Sequence, residues 1–311
     1  MSLVVEEPLA PTVADIGLPD PPCLVPPAAE PRIGLLDRAL GGLSTIAGAC
    51  LSPRETRAFG ILTYHRISDP PEGLPPLSWN VTPERFEQQL TGLLARGWQA
   101  WPLRQLISCM ERDLPIPRKT FVVTFDDGYA NNLLEAAPIL AKHHIPATLF
   151  LATAYLDSKQ PFPCDDWPAA GQPGVPSETW RPLTTEECRR LCGNGLVELG
   201  AHTHSHADFR NRPDDLRRDL AANIGILEER FDVMFPPFAF PYECKAGFVT
   251  PELIQAARDT GATCALTTQP RLICPGDSPF GWGRFTVRGF DTAASLAAKL
   301  GGWHAALGSR A

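Results

Sequence analysis

No basic run occurs anywhere in the chain, and 28 Lys and Arg against 35 Asp and Glu leave a net charge of −7. A broad nucleic-acid footprint needs the opposite balance, so no nucleic-acid partner is expected. No stretch approaches the ~20 consecutive apolar residues of a membrane-spanning helix. The amino terminus, MSLVVEEPLAPTVADIG, lacks the basic start of a signal peptide and carries Glu6 and Glu7 where such a peptide is apolar. Paired short cysteine spacings are missing too. The nine cysteines form an odd, scattered set, and the closest pair, Cys188 and Cys192, falls i,i+4 on an expected helix as two free thiols. That usage suits a reducing compartment better than a secreted disulfide scaffold, and a cytoplasmic setting is expected. The Gly-rich phosphate turn of a dinucleotide-binding sheet is also absent.

What is present is ordinary for a globular protein: 44% hydrophobic and 20% charged residues. The chain divides by composition. Residues 1–57 form an extension whose first part, to about residue 32, is rich in Pro, Ala and acids, with too little to bury to stay ordered. Within it, Leu36, Leu40, Leu43, Ala47 and Cys50 recur at helical spacing, but Gly34, Gly41, Gly42 and Gly48 each weaken that amphipathic helix by roughly 1 kcal/mol. Residues 58–300 are expected to form a single barrel domain, and residues 301–311 a short tail.

From residue 58 strands and helices alternate. FGILTY (59–64), FVVTF (121–125), ATLFLA (147–152) and LVELGA (196–201) read as strands, with FAFPY and TCALT later. Thr82 caps a helix with Pro83 in its first position and Phe86, Leu90, Leu93 and Leu94 as its apolar stripe. Leu133, Leu134, Ala137 and Leu140 mark a second helix. Thr184 opens a third, with Glu187 placed to close a capping box. Leu216, Leu220, Ile224, Leu227 and Phe231 line a long fourth helix, and Pro251 to Thr260 form another. This alternation predicts an α/β fold with a parallel sheet. Six or seven such units favour a closed or nearly closed barrel, with an open doubly wound sheet as the alternative.

In either architecture chemistry gathers at the carboxyl ends of strands, where KTFVVTFDDGYANN sets Asp126 beside Asp127. Two adjacent carboxylates repel and contribute nothing to a core, so a positive partner is required. A second polar cluster, LVELGAHTHSHADF, also follows a strand. His202 and His206 are spaced to converge on one ion, whereas His204 alternates to the other side. Two imidazoles and one carboxylate with an open position are the ligand set of catalytic zinc. His143 and His144 end a helix, where imidazole suits the dipole. Trp79, Trp167, Trp180 and Trp282 fall in loop-like segments and are not assigned to a site.

TFDDG followed by HTHSH resembles the first and second motifs of the polysaccharide deacetylases, carbohydrate esterase family 4, also called the NodB homology domain. The similarity runs over roughly residues 58–290, with LTYHRI before the first motif and FAFPYE after the second. The resemblance implies a distorted (β/α)7 barrel and metal-dependent removal of N-acetyl groups from GlcNAc-type glycans, zinc being the expected ion. Position by position it implies Asp126 as general base and Asp127, His202 and His206 as metal ligands. It implies Thr203 as the brace of the second-motif loop and the main-chain N–H of Tyr242 as an oxyanion donor.

Three departures accompany the match. Ala239 stands where the family's third motif begins with an arginine that orients the base, and Arg284, in GWGRFTV, is the candidate to reach in instead. CALTTQP lacks the family's late histidine, which leaves His65, after the first strand, or a water beside the metal as candidate proton donor. The fourth-motif aspartate has no clear counterpart. These gaps keep two alternatives open: hydrolysis of a different amide on the same scaffold, and a glycan-binding relative that keeps the metal without turnover. The sequence leaves the oligomeric state open.

Overall fold

The computed structural model describes residues 58–242 and 249–302. The expected amphipathic helix near the amino terminus and most of the expected tail, His304 included, lie outside the described residues. All strand pairs are parallel. In chain order the strands are β1 (Gly60–Tyr64), β2 (Arg66–Ile67), β3 (Asn80–Val81), β4 (Gln99–Ala100), β5 (Thr120–Phe125), β6 (Ala147–Leu151), β7 (Val197–Ala201), β8 (Phe238–Ala239), β9 (Ala265–Leu266), β10 (Phe280–Trp282) and β11 (Phe285–Thr286). The main sheet runs β10-β9-β8-β7-β6-β5-β1-β11, with β4 on the start of β5, while β2 and β3 form a separate pair. The helices are α1 (Pro83–Leu94), α2 (Leu103–Glu111), α3 (Ala137–Lys142), α4 (Thr185–Cys192), α5 (Pro213–Phe231), α6 (Pro251–Asp259) and α7 (Ala293–Leu300).

The central strands of the sheet are buried on both faces. β1, β5 and β6 are buried at every position, which explains why they read as near-continuous apolar runs. Their alternate side chains separate into two cores. Leu62, Tyr64, Val123, Phe125, Leu149, Leu199 and Phe238 meet the helices on the outside. Phe59, Ile61, Val122, Phe150, Ala239, Leu266 and Trp282 face inward, where Leu103, Leu106 and Ile107 of α2 pack against them. The alternation carries directly into the site. The inward column of β5 continues from Val122 through Thr124 to Asp126, that of β1 from Ile61 through Thr63 to His65, and that of β7 through Gly200 to His202.

The two end strands of the sheet are halves of one segment. β10 pairs β9, and three residues later β11 pairs β1, so the stretch Phe280–Thr286 spans both edges with a break at Gly283 and Arg284. The open doubly wound alternative is therefore not adopted.

Local signals survive in the coordinates. The Thr82 hydroxyl accepts from Arg85 N, and the Thr184–Glu187 capping box is complete. Cys188 and Cys192 are free thiols. His143 ends its helix as expected but also pairs with Glu87 at 2.7 Å. Other expectations are corrected. Leu134 is exposed, because residues 132–136 form a wide helical turn that rotates the buried face to Ala136 and Leu140. On α5, Ile224 and Phe231 are only partly buried, and Asp219 and Asn223 occupy the inner face with Leu216, Leu220 and Leu227. Trp282, expected in a loop-like segment, lies in β10 and is wholly buried. Trp167 and Trp180 leave the surface as well and pack with Leu77 and Ala169 in a small separate core.

Gly283 is needed at the break by close approach, since a Cβ there would lie 2.3 Å from Gln269 O and 2.5 Å from Arg271 Cγ. Gly283→Ala is expected to lower unfolding stability by about 1–3 kcal/mol through overpacking. Chemical denaturation reads this as a lower midpoint with an unchanged slope.

Candidate active site

Strand register sets the positions of the functional side chains. Tyr64 and Phe125 are paired Cα partners on β1 and β5, and Asp126 N donates to Tyr64 O at 3.0 Å, so His65 and Asp126 leave their strands side by side. Asp127 follows with φ 71°, a left-handed backbone that turns its carboxylate away from the course taken by Asp126. On the β7 side, Thr203 and His206 also take left-handed φ values of 65° and 53°, which fold the His202–His206 loop back on itself. His206 N donates to the Thr203 hydroxyl across that turn at 3.1 Å, the bracing contact expected of Thr203.

The two loops bring Asp127, His202 and His206 together. All three are buried, and their ligand atoms lie within 4.8 Å of one another. Asp127 Oδ1 is 3.4 Å from His202 Nε2 and 3.2 Å from His206 Nε2. The edge of a tetrahedron of ligands ~2.0–2.1 Å from its centre is about 3.3–3.4 Å, so these separations fit a small divalent ion bound by nitrogen and oxygen. His202 is oriented from behind: its Nδ1–H donates to Ala239 O at 2.9 Å, which turns Nε2 toward Asp127 as the nitrogen that donates to that carboxylate or, once deprotonated, can ligate an ion. Ala239, at the position of a missing arginine, thus serves the site through its carbonyl. His204 turns away and meets Thr153 Oγ1 at 3.0 Å.

Asp126 stands apart from this triad, and Arg284 grips it. The guanidinium donates to both carboxylate oxygens, at 2.6 and 2.8 Å, and to Thr267 O and Thr124 Oγ1 at 3.3 Å. Arg284 is fully buried, so it reaches in from the break in the closing segment and is not a surface residue. Burial raises the Asp126 pKa, but Arg284 and His202 outweigh it and hold the carboxyl below its ordinary value. For Asp127 burial is likewise overcome, by hydrogen bonds from His202 and His206, and the carboxyl falls well below its ordinary value. Burial pulls both imidazoles down, yet Asp126 and Asp127 hold His202 up, and Cys164 with Asp127 push His206 up to about 10. The cluster is thus a place that attracts positive charge.

His65 is lowered by burial against the opposing pull of Asp127 and Asp126. Its Nδ1 is buried and bonded to no protein group, and its ring lies 5.2 Å from that of Trp79. Tyr242, with φ 66°, sets its ring 5.0 Å from that of His206 at the half-open rim.

Several neighbours escaped the sequence reading. Cys164, counted there only among the scattered cysteines, influences His206 from the insertion that follows β6. A buried ion pair between Asp165 and Arg66 anchors that insertion, and Arg66 also donates to the Tyr129 hydroxyl. Signals for this anchor were present only as adjacency: Arg66 follows His65, and Tyr129 follows the Asp126–Gly128 turn.

A family model described as polysaccharide deacetylase matches residues 114–265. YxkH of Bacillus subtilis (strain 168) is 24% identical over 211 residues, which cover 68% of this chain and 64% of that protein. A Staphylococcus epidermidis protein named poly-beta-1,6-N-acetyl-D-glucosamine N-deacetylase is 23% identical over 233 residues, covering 69% of this chain and 73% of its own length. The structure of IcaB from Ammonifex degensii superposes with a TM-score of 0.65 at 24% identity, over 79% of this chain and 98% of that one, and so shares the fold. Among the described residues no helix is long and apolar enough to cross a membrane.

The grip of Arg284 on Asp126 generates a test. Arg284→Met strands a buried carboxylate and is expected to cost about 3–5 kcal/mol of unfolding stability. The pH dependence gives the sign. With its folded pKa lowered, Asp126 contributes stability above its ordinary range that is lost as pH falls through the folded value. Without Arg284 burial dominates and the contribution reverses, so the stability of the variant relative to wild type is expected to improve on acidification.

Proposed function

We propose that this chain, whose residues 114–265 match the polysaccharide deacetylase family model, hydrolyses the N-acetyl amide of GlcNAc-type glycans or glycan precursors. The observation that carries this reading is the division of labour between adjacent carboxylates. Asp127 joins two imidazoles in a three-ligand cluster, while Asp126, held by Arg284, stays outside it.

Asp127, His202 and His206 would hold a divalent cation, with zinc the ion their mixed nitrogen and oxygen donors and close separations suit. Such an ion supplies Lewis acidity, polarising the amide carbonyl and making water a better nucleophile. The remaining work falls to the chain. Asp126 takes the proton of the attacking water; its lowered pKa keeps it ionised and ready at neutral pH, and the bidentate clasp of Arg284 fixes its orientation. The main-chain N–H of Tyr242, at the rim beside His206, is assigned to the oxyanion of the tetrahedral intermediate. His65 is neutral at rest, because burial holds its pKa down, and is therefore free to receive the proton and return it to the leaving nitrogen. Acetate and a free amine result. The name of the Staphylococcus relative makes β-1,6-linked N-acetylglucosamine oligomers the first substrate to try.

Acetate release from such oligomers, measured on metal-stripped protein with and without added zinc, tests the reading. Activity is expected only with zinc present. Asp126→Asn should lower kcat by about 10²–10⁴-fold while zinc stays bound, whereas His206→Ala should lose the ion itself. Retention of full turnover in Asp126→Asn would remove the carboxylate from the reaction. Absence of both zinc binding and acetate release in the wild type would overturn the function.

A further inference from the structure

Two polar residues are buried on the inner face of α5, where the pattern of the helix calls for apolar ones. Asp219 is fully buried, and Asn223, one turn later, is fully buried as well. Both face the loop that carries His202 and His206. The Asp219 carboxylate accepts from His204 N at 2.5 Å, from Ser205 N at 3.2 Å and from the Ser205 hydroxyl at 2.5 Å. The Asn223 amide donates to Thr203 O at 2.8 Å, to Thr153 Oγ1 at 2.8 Å and to Leu151 O at 2.9 Å. Leu151 O also accepts from His202 N at 3.1 Å, and Thr153 Oγ1 meets His204 Nδ1 at 3.0 Å. Every residue from His202 to Ser205 is therefore tied, directly or through one shared atom, to this pair.

We infer that Asp219 and Asn223 are positioning residues for the metal centre, setting its affinity by holding the His202–His206 loop in its binding shape before an ion arrives. The inference rests on the proposed metal site and deepens it. Burying a carboxylate and an amide on a helix face is costly unless their hydrogen bonds are made. Here the partners include the main-chain groups of Thr203, His204 and Ser205, in a loop whose conformation is itself unfavourable: Thr203 and His206, neither of them glycine, have φ of 65° and 53°. A loop with two such residues holds its shape only when its surroundings determine it. Asp219 and Asn223 supply that determination from a rigid helix. His202 and His206 then need no reordering to bind, and the entropy of ordering the loop does not weaken the ion's affinity. Neither residue can touch substrate, so neither is a catalytic residue.

Zinc titration of the metal-stripped full chain by calorimetry, paired with thermal unfolding of the same metal-stripped protein, tests this. Asp219→Asn keeps one acceptor oxygen but replaces the other with an NH2 facing donors. It is expected to raise the zinc Kd by about 10–100-fold, the usual effect of losing an outer partner of a metal site. A residue that only stabilised the fold would lower the metal-free Tm and leave the Kd unchanged. Should Asp219→Asn fail to fold, Ser205→Ala removes one donor to the same carboxylate and is expected to raise the Kd several-fold. A zinc Kd equal to wild type in the folded variant overturns the inference while leaving the metal site intact. A wild type that binds no zinc overturns the metal site itself.

Discussion

Two carboxylates next to each other in sequence, both buried, cannot share one environment; the structure stands by giving each its own positive partner. Asp126 receives a guanidinium that approaches from the closing segment of the sheet, and Asp127 receives a pair of imidazoles from the β7 loop. The left-handed turn at Asp127 separates the two, and Gly128 follows in the same backbone region with φ 96°. Charge balance, more than apolar packing, decides what surrounds the end of β5. Around it the sheet acts as a ruler: strictly parallel strands with a side-chain period of two deliver His65, Asp126 and His202 to the same end of the same face.

Support for this arrangement comes from outside the motifs. The helix α5 secures one loop through Asp219 and Asn223, the carbonyl of Ala239 orients His202, and the insertion after β6 is pinned to the barrel by Asp165 and Arg66. Each contact is a buried polar group satisfied by main chain or by opposite charge, as low-dielectric surroundings require. The site is a polar enclave set within an apolar core, and His65 Nδ1 is a buried atom there that no protein group partners.

The sequence made the strands and the four motif residues legible because both signals are local. An apolar run ending in two acids, and another ending in His-x-x-x-His, identify strand ends without knowledge of the fold. Arg284 was legible only as a candidate, since 158 residues separate it from Asp126 and nothing in GWGRFTV states which way the chain returns. Asp219 and Asn223 were hidden by the expectation that a helix stripe is apolar, although both fall in phase with Leu216, Leu220 and Leu227. A polar residue in phase with such a stripe was the available signal. Trp282 was placed in a loop-like segment because its strand, β10, is only three residues long, while Gly283 beside it marks close packing of the closing segment. Leu134 was misplaced because a wide turn breaks the helical period on which the stripe depends.

The break in the segment Phe280–Thr286 couples architecture to chemistry. Its two halves stitch opposite edges of the sheet, and the residue at the stitch is the one that clasps Asp126. A molecule whose seam has parted is therefore also one whose Asp126 has lost its anchor. Closure of the barrel and the placement of that carboxylate are joined through one side chain.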